Sequence, residues 1–526
     1  MEKQLRTLTP TTKEYAEKLT KLEQQNAELT AKLKWYEEQF QLAQKKRFGA
    51  SSEKTHPDQL ELQLFNEAET LATPPSEKPE MEEIKFSRKK RNGNRETKLD
   101  QLPIETITYE LSEADQVCEC CGGHLHEMST ETRNEVSVIP AQVKVVSHVR
   151  KVYSCRHCER EEIRTPIVTA PMPESVYPGS LASPSSIAHI MSQKYVEGLP
   201  LYRQEQHWAR FGVELSRQTM ANWMLVGAQW LSRLYERMRT HLLQQDILYA
   251  DETTLQVLRE PGRAAEQKSY LWLYRTGPSS PAIVLYEYQP TRAGEHPERF
   301  LKGFTGYLHA DGYDGYDKVA GVTRVGCWAH ARRKFFEAVQ SLPKNVPSAG
   351  TAAQEGLDFC NRLYAMERKA EGLPPEERLN IRQEQSRPVL DAFWAWLLNQ
   401  KDRVLPKSAT GTAITYCLNQ WDRLQGYLLD GRLEIDNNRS ERSIKPFVIG
   451  RKNWLFANTP RGAKASAITY SIIETAKENR LHPFYYLTYL LEKLPQLSDH
   501  EEEALDKLLP WSPSIPLTCR VFQSTT

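Results

Sequence analysis

The sequence is poor in cysteine and has no long apolar run. Nine cysteines in 526 residues are too few for a disulfide framework. No stretch approaches the ~18 consecutive apolar residues of a membrane-spanning helix. The N-terminus is charged from Glu2 and Lys3 onward and lacks the apolar region of a signal peptide. These absences lead us to expect a soluble cytoplasmic protein with no membrane partner.

The chain also lacks an overall charge imbalance. Its net charge is +1, and its 39% hydrophobic and 26% charged residues are ordinary for a globular protein. Basic runs near Arg88, Arg332 and Arg451 are offset by acidic stretches such as Glu501 to Glu503. Any nucleic-acid-binding surface must therefore be local. The length predicts roughly three to four domains.

An N-terminal segment has the heptad spacing of a coiled coil. Its seam positions lie alternately four and three residues apart, at Tyr15, Leu19, Leu22, Asn26, Leu29, Leu33, Tyr36 and Phe40. A buried Asn at an a position, which Asn26 would occupy, specifies register and favours a parallel pair. We therefore predict a dimerisation helix over residues 12–48 and a homodimer. The alternative is a single amphipathic helix that folds back on its own chain.

Residues 70–103 shift to Pro, Glu, Lys and Arg with little apolar content, which is typical of a linker. Within this linker, residues 88–91 are all Lys or Arg. Such a run could contact phosphates, but charge runs are usually only solvated, so it indicates DNA binding weakly.

Four cysteines are arranged as two Cys-x-x-Cys pairs with 33 residues between them: Cys118 and Cys121, then Cys155 and Cys158. Four thiolates make a closed structural zinc site. The intervening segment 136–153 is rich in β-branched residues, which favours two strands between the pairs. We predict a zinc ribbon over residues 104–170 that binds one structural Zn²⁺. Cys120 and His157 are expected to lie outside the ligand set.

Residues 181–240 have the pattern of a helix-turn-helix domain. One helix opens near Leu201, Gly212 lies in the turn, and Ser216 can cap a second helix. Polar residues at the start of a second helix are where such motifs contact base edges, and here they are Arg217, Gln218 and Thr219. An ordinary corner between two helices is the alternative.

The next segment predicts three strands at 247–257, 269–274 and 282–288. A short helix at 297–301 and a fourth strand at 306–311 follow. Asp251 lies in the first strand and Asp311 ends the fourth. This order, with acids on those two strands, is the layout of the ribonuclease H-like fold, in which the two strands are neighbours. Each acid has a simpler alternative, since Asp251 could be a strand-end residue and Asp311 could form an Asx turn with Gly312.

Two neighbouring buried carboxylates repel each other unless a cation lies between them, which predicts Mg²⁺ or Mn²⁺ at Asp251 and Asp311. A third carboxylate from a later helix would complete a two-metal site. Glu441 is the candidate, because it is the single acid among seven Lys or Arg between Asn437 and Lys464. The alternative is that Glu441 pairs with Arg442 or Lys445 on a solvated helix, an interaction worth less than ~1 kcal/mol.

Several long motifs resemble the large transposase of the insertion sequence 66 family. They are the stretches 249–253 (Tyr-Ala-Asp-Glu-Thr), 309–313 (His-Ala-Asp-Gly-Tyr), 326–335 (Gly-Cys-Trp-Ala-His-Ala-Arg-Arg-Lys-Phe), 436–442 (Asp-Asn-Asn-Arg-Ser-Glu-Arg), 46–49 (Lys-Arg-Phe-Gly) and 508–511 (Leu-Leu-Pro-Trp). The resemblance extends over almost the whole chain. It implies DDE-type cutting and joining of transposon ends, with Asp251, Asp311 and Glu441 as the catalytic acids. It also implies DNA as the partner, both element ends and target, and companion proteins encoded by the same element.

Glu441 follows Asp311 by 130 positions, which exceeds what a simple ribonuclease H core needs. We predict a helical insertion over about 345–428 within a catalytic domain of 244–490, followed by a C-terminal tail of 491–526. The insertion could position DNA or could be structural support. The expected fold class is multidomain α+β: coiled coil, zinc ribbon, helix-turn-helix and a ribonuclease H-like catalytic core with a helical insertion.

Basic residues follow the second and third acids. We expect them to neutralise phosphates near the scissile bond, at His330, Arg332, Arg333, Lys334, Arg442, Lys445, Arg451 and Lys452. Trp454 could stack on a flipped base, although core packing is more usual for a tryptophan.

The leading hypothesis is a bacterial, nucleoid-associated transposase that uses two Mg²⁺ or Mn²⁺ ions to cleave element ends and to join the freed 3′-hydroxyl to target DNA. One alternative is a non-enzymatic zinc-containing DNA-binding protein derived from a transposase. A second is a nuclease of the same fold that cuts without joining.

Overall fold

The computed structural model describes residues 142–154, 167–343, 347–498 and 501–521, together with Thr106 and single positions between 19 and 40. The predicted zinc ligands Cys118, Cys121, Cys155 and Cys158 lie outside the described residues, as does the predicted linker 70–103. Among the described residues, no helix is both long enough and apolar enough to cross a membrane.

The described positions between 19 and 40 are helical. Their large apolar side chains are 61–66% exposed, and these are Leu19, Leu22, Leu29, Leu33, Tyr36 and Phe40. Tyr15, the first predicted seam position, lies outside the described residues. The dimer stays a prediction.

A short antiparallel pair, β1 (Val152–Ser154) and β2 (Ile167–Thr169), lies in the region predicted as a zinc ribbon. The Arg150 Nε donates to the Ala170 carbonyl at 2.7 Å across the open end of the pair. The expectation of two strands between the cysteine pairs does not hold for 142–151, which form no strand. The valines of this stretch are exposed, so they pack on no second layer within the described part of the chain.

Three helices precede the sheet: α1 (Pro184–Tyr195), α2 (Leu201–Arg210) and α3 (Arg217–Leu243). Helix α1 begins with a reciprocal capping box between Ser183 and Ser186. Helix α3 is capped by Ser216, whose side chain accepts from the Thr219 backbone N–H at 3.1 Å. Helix α3 is 27 residues long and buries a stripe of large side chains, so beyond its first turn it is a core helix.

A mixed five-stranded sheet follows these three helices. Its strands are β3 (Ile247–Gln256), β4 (Lys268–Thr276), β5 (Val284–Gln289), β6 (Gly306–His309) and β7 (Val322–Val325). Their spatial order is β5-β4-β3-β6-β7, antiparallel among the first three and parallel from β3 to β7. The short helix α4 (Glu295–Phe300) connects β5 to β6. The prediction that the two acid-bearing strands are neighbours is confirmed, because β3 pairs directly with β6.

Residues 328–428 are mostly helical and pack on the β7 side of the sheet. The helices are α5 (Trp328–Gln340), α6 (Ala352–Lys369), α7 (Pro375–Ile381), α8 (Arg387–Lys401), α9 (Ala409–Asn419) and α10 (Trp421–Leu424). Their shared core is aromatic: Phe359 stacks on Phe393 with ring centroids 4.8 Å apart, and Trp328 lies 6.1 Å from the same ring.

Four later helices complete the described chain: α11 (Asn438–Trp454), α12 (Pro460–Glu478), α13 (Pro483–Lys493) and α14 (Glu502–Asp506). Helix α12 covers the edge strand β5. Its Ser471 hydroxyl accepts from the Tyr286 backbone N–H at 2.8 Å, and its Thr475 hydroxyl accepts from Val284 N–H at 3.0 Å. These bonds occupy N–H groups that an open sheet edge would leave without partners.

Candidate active site

The register of the parallel pair β3/β6 determines how the first two acids lie. It aligns Ile247 with Tyr307, Leu248 with Leu308, and Tyr249 with His309. Asp251 and Asp311 each follow by two residues, so they leave the pair at the same level. The rings of Tyr249 and His309 stack on each other with centroids 5.0 Å apart. Burial lowers the pKa of His309 to about 4, so this histidine is neutral at pH 7.

Helix α11 brings Glu441 to the same place. The Asn437 side chain donates from Nδ2 to the Ala250 carbonyl at 2.9 Å, directly beside Asp251. Glu441 follows one helical turn later, with its N–H 3.3 Å from the Asn437 carbonyl. The preceding Asp436 is bound by the Tyr364 hydroxyl of α6 at 2.9 Å. The helical segment 328–428 therefore helps to position the start of α11.

The three acids interact electrostatically. Burial raises the pKa of Asp251 well above its usual value, and the negative charges of Glu252, Glu441 and Asp311 raise it further. Glu441 is only 10% exposed, and its Oε1 has no hydrogen-bond partner among the described residues. A buried acceptor without a donor, beside two more carboxylates, is the environment that a hard divalent cation would satisfy.

Another group near Glu441 could also ligate a metal. Cys327, His330 and Glu441 bring one potential ligand atom each to within 4.8 Å of one another, a spacing that Asp251, Asp311 and Glu441 do not reach as a set among the described residues. In a two-metal centre the cations themselves are about 3.5–4 Å apart, so the outer carboxylates need not be in contact. Burial and the charges of Asp436 and Glu441 raise the pKa of the Cys327 thiol.

Glu252 is a fourth acid that the sequence interpretation did not include. Its side chain is 3% exposed and accepts a hydrogen bond from the Tyr316 hydroxyl at 2.6 Å and from the Arg292 Nε at 2.8 Å. Burial and the charge of Asp311 raise its pKa, opposed by Tyr316 and Arg292. Its position directly after Asp251 could have indicated a role at the site. Its partners Arg292 and Tyr316 lie 40 and 64 residues later in the sequence, so the sequence did not indicate them.

The four basic residues at the start of α5 separate into different environments. His330 Nε2 and Arg333 Nη2 face Glu441 at 3.8 and 3.6 Å. Lys334 lies over the Tyr416 ring at 4.9 Å. Arg332 is only 8% exposed, and its Nε donates to the Asn361 side chain at 2.8 Å. The expectation that Arg332 contacts DNA is therefore not supported, because a guanidinium buried against α6 does not reach the surface.

The basic residues of α11 also differ. Arg442 and Lys452 are exposed. Arg451 is half-buried and donates from Nη1 to the Thr254 carbonyl of β3, which joins the end of α11 to the sheet. The Trp454 ring packs against Phe447 with centroids 5.4 Å apart, so part of its surface lies against another side chain of the same helix. Lys445 is half-buried on the same helix.

The polar residues at the start of α3 lie at the surface. Arg217 and Gln218 are exposed, and Thr219 is half-buried. The Arg217 guanidinium lies 5.5 Å from the Tyr202 ring centroid, and the Gln218 side chain donates to Asn222 at 3.1 Å. The first turn of α3 therefore presents polar side chains to solvent.

The sequence matches four family models along its length. The model described as "Transposase IS66 family" matches residues 179–465, which contain all three acids and more than half of the chain. The chain belongs to the IS66 transposase family. The IS66 zinc-finger model covers 115–159 and includes both cysteine pairs. The IS66 C-terminal element matches 471–511, and a model named "Transposase C of IS166 homeodomain" matches 35–107.

Curated relatives of this IS66 protein come from Sinorhizobium fredii (strain NBRC 101917 / NGR234). The uncharacterized protein y4jD is 34% identical over 428 residues, which cover 78% of this chain and 81% of y4jD. The uncharacterized protein y4qI is 31% identical over 77% of this chain and 75% of its own length. Membership of the IS66 family implies a DDE transposase with DNA as its partner and a divalent cation, and the zinc-finger match suggests zinc.

Proposed function

We propose that this protein is a DDE transposase that cleaves the ends of its element and joins the freed 3′-hydroxyl to target DNA. The observation that carries the proposal is the Asn437–Ala250 hydrogen bond of 2.9 Å, since it places the turn bearing Glu441 beside the strand bearing Asp251. The sheet order, with that strand next to the one preceding Asp311, supports a ribonuclease H-like core.

Asp251, Asp311 and Glu441 are the residues that would hold two Mg²⁺ or Mn²⁺ ions. Their donor set fits, because hard divalent cations prefer carboxylate oxygens and the Glu441 Oε1 is buried without a partner among the described residues. When bound, such cations supply a nucleophile at neutral pH and stabilise charge on the attacking and leaving oxygens.

The chain's own residues then have two tasks. The β3/β6 pair and the Asn437 amide orient the acids, and the rigid sheet keeps them in place during the reaction. His330 and Arg333 surround Glu441 and provide positive charge at the edge of the site. No serine or tyrosine is required as a nucleophile, since water and the 3′-hydroxyl attack the phosphodiester in line.

DNA would be held by several regions. We propose that the zinc ribbon and the helix-turn-helix residues Arg217, Gln218 and Thr219 bind element ends. The exposed basic residues of α5 and α11 would lie along the backbone near the scissile bond. The N-terminal heptads would pair two protomers, so that both ends are processed together. Companion proteins of the same element are possible further partners.

Cleavage and strand transfer on labelled duplexes that carry the element ends test this proposal. With Mg²⁺, the wild type should nick the ends and yield joined products, and Glu441→Gln should yield neither while still binding the duplex. Glu337→Gln is the matched control, because Glu337 is an exposed acid on α5. Full activity of Glu441→Gln would overturn the assignment. Cutting without joining would favour the nuclease alternative, and binding without cutting the non-enzymatic one.

A further inference from the structure

A loop outside the three-acid set packs directly against the turn that follows Asp311. The loop is 290–294, after β5, and the turn is 311–315, after β6. A Cβ at Gly294 would lie 2.5 Å from the Gly315 carbonyl oxygen, and a Cβ at Gly315 would overlap the Tyr313 ring. Gly294 therefore permits a close backbone approach that another residue would prevent, and Gly315 leaves room for the Tyr313 ring. The approach brings Arg292 to the edge of the active site.

Arg292 is fixed there by contacts on two sides. Its Nε and Nη2 both donate to the Glu252 carboxylate, Nε at 2.8 Å. Its guanidinium lies 4.1 Å from the centroid of the Tyr313 ring, and the Tyr313 hydroxyl donates back to the Arg292 carbonyl. The Tyr313 backbone N–H in turn donates to Asp311 Oδ1 at 2.9 Å. The arginine is thus connected through Tyr313 to one catalytic acid and through Glu252 to the neighbour of another.

The two members of the Arg292–Glu252 pair differ in exposure. The Glu252 side chain is 3% exposed and is also bound by Tyr316, whereas the Arg292 side chain is 42% exposed. The Arg292 side chain uses Nε and Nη2 for its bonds, and its Nη1 has no hydrogen-bond partner among the described residues. A fixed guanidinium with a free edge toward solvent matches the geometry of a phosphate oxygen, because the planar fork is already oriented before the ligand arrives.

We propose that Arg292 forms a phosphodiester-binding site beside Asp311, with Glu252 and Tyr313 as positioning residues that hold its guanidinium toward DNA. The site rests on the proposed function, since it requires DNA on this face of the sheet. It adds a cation from the loop after β5 to the basic residues of α5 and α11. It also assigns a role to Glu252, a buried acid that the three-acid mechanism does not use.

The test is the salt dependence of duplex binding by the full chain. Each phosphate contact to duplex DNA contributes about 0.9 to the slope of log Kobs against log salt. Binding of a labelled duplex carrying the element ends is measured by fluorescence anisotropy with Ca²⁺ in place of Mg²⁺, so that the readout does not depend on cleavage. The slope of Arg292→Gln should be shallower than that of the wild type by about 0.9.

Three further variants separate phosphate binding from structural effects. Arg292→Lys keeps a cation, so it should retain the slope while its cleavage rate falls, because an ammonium cannot be held by Glu252 in the same fork. Arg292→Gln leaves the buried Glu252 carboxylate without its cation and could unfold the protein for that reason. The double variant Arg292→Gln/Glu252→Gln removes this charge as well, so its slope tests the site if Arg292→Gln fails to fold. Arg299→Gln is the matched control, since Arg299 is exposed and pairs with Glu287 at 3.0 Å.

A shallower slope in Arg292→Gln or in the double variant, with an unchanged slope in Arg299→Gln, supports the site. A wild-type slope in the double variant overturns it, and so does an equal loss in Arg299→Gln. These outcomes are independent of the proposed reaction, which is tested separately by cleavage and strand transfer in the wild type and in Glu441→Gln.

Discussion

The side chain of Asn437 donates a 2.9 Å hydrogen bond to the carbonyl of Ala250, which joins the first turn of α11 to the strand carrying Asp251. The same asparagine uses its backbone N–H to donate to the Cys327 Sγ at 3.2 Å, at the start of α5. One buried residue therefore connects three elements of the site.

Replacing Asn437 by Ala should lower cleavage far more than it lowers duplex binding. The loss of one tether lets the Glu441 turn move relative to β3, and a displacement of about 1 Å can reduce a rate about 10²-fold. Rates of end nicking and duplex affinities of the wild type and the variant check this. Asn453→Ala, an exposed asparagine at the other end of α11, is the control. Equal effects of the two substitutions would argue against the tether.

Arg382 should contribute strongly to the stability of the helical segment 328–428. Its guanidinium is fully buried and binds Glu367 at 2.7 Å and the carbonyls of Tyr427, Asp430 and Leu433 at 2.8, 3.0 and 2.7 Å. Arg382→Met leaves the buried Glu367 with only its more exposed partner Arg378, so the free energy of unfolding should fall by about 3–5 kcal/mol.

Urea denaturation measures that loss. Arg387→Met is the matched control, because Arg387 is exposed and, among the described residues, bonds only to the Gln425 side chain at 3.3 Å. The control should lose less than about 1 kcal/mol. A small effect of Arg382→Met would show that the carbonyl contacts are dispensable.

The attachment of α14 to α3 should weaken in acid. Hydrogen bonds from Arg237, at 2.6 Å to each oxygen, lower the pKa of Asp506 to about 2, against roughly 3.9 for an unfolded aspartate. A lowered pKa in the folded state gives stability that is present above the unfolded value and lost as the pH falls toward the folded one. The stability difference between wild type and Asp506→Asn should therefore shrink between about pH 5 and pH 2.

Urea unfolding of both proteins over that pH range is the measurement. Asp506 is partly exposed, so the difference at pH 7 should be about 0.5–1 kcal/mol, the range of surface ion pairs. Asp391→Asn, an exposed aspartate on α8, should show no such trend. A difference for Asp506 that grows in acid would contradict the assignment of the ion pair.

Removal of zinc should affect the cysteine pairs without affecting the acids. The IS66 zinc-finger match covers Cys118 through Cys158, so the wild type should contain one Zn²⁺ per chain by elemental analysis. Cys121→Ser should lose the metal, whereas Cys360→Ser, a cysteine buried under α5, should retain it. Retention of zinc by Cys121→Ser would place the metal elsewhere.

Local sequence was sufficient for some parts of this architecture. Asp251 interrupts an apolar strand and Asp311 follows one. Because the order of three strands, a helix and a fourth strand is that of the ribonuclease H-like fold, the pairing of these two strands was predictable. Ser216 was recognisable as a helix cap because Ser followed by a polar first turn is a local signal. The strands expected between the cysteine pairs were not found in 142–151, since β-branched residues alone do not form strands without a surface to pack on.

The side-chain contacts within the site could not be predicted from local sequence, because they join residues from distant parts of the chain. Arg332 and Arg333 are adjacent in sequence, yet one faces α6 and the other Glu441, because successive residues of a helix point about 100° apart. The helical phase of α5 would have separated them. Nothing local connected Glu252 to Arg292, which lies 40 residues later in a loop brought close by the Gly294–Gly315 approach.

Thermal unfolding in a Mg²⁺ titration tests most directly whether Asp251, Asp311 and Glu441 form one cation site. A ligand that binds only the folded state at 100 times its Kd stabilises by about 2.7 kcal/mol, so the melting temperature of the wild type should rise as Mg²⁺ is added. Asp251→Asn should show little or no rise, because it removes a ligand carboxylate. An equal rise in the wild type and in Asp251→Asn would contradict the shared site.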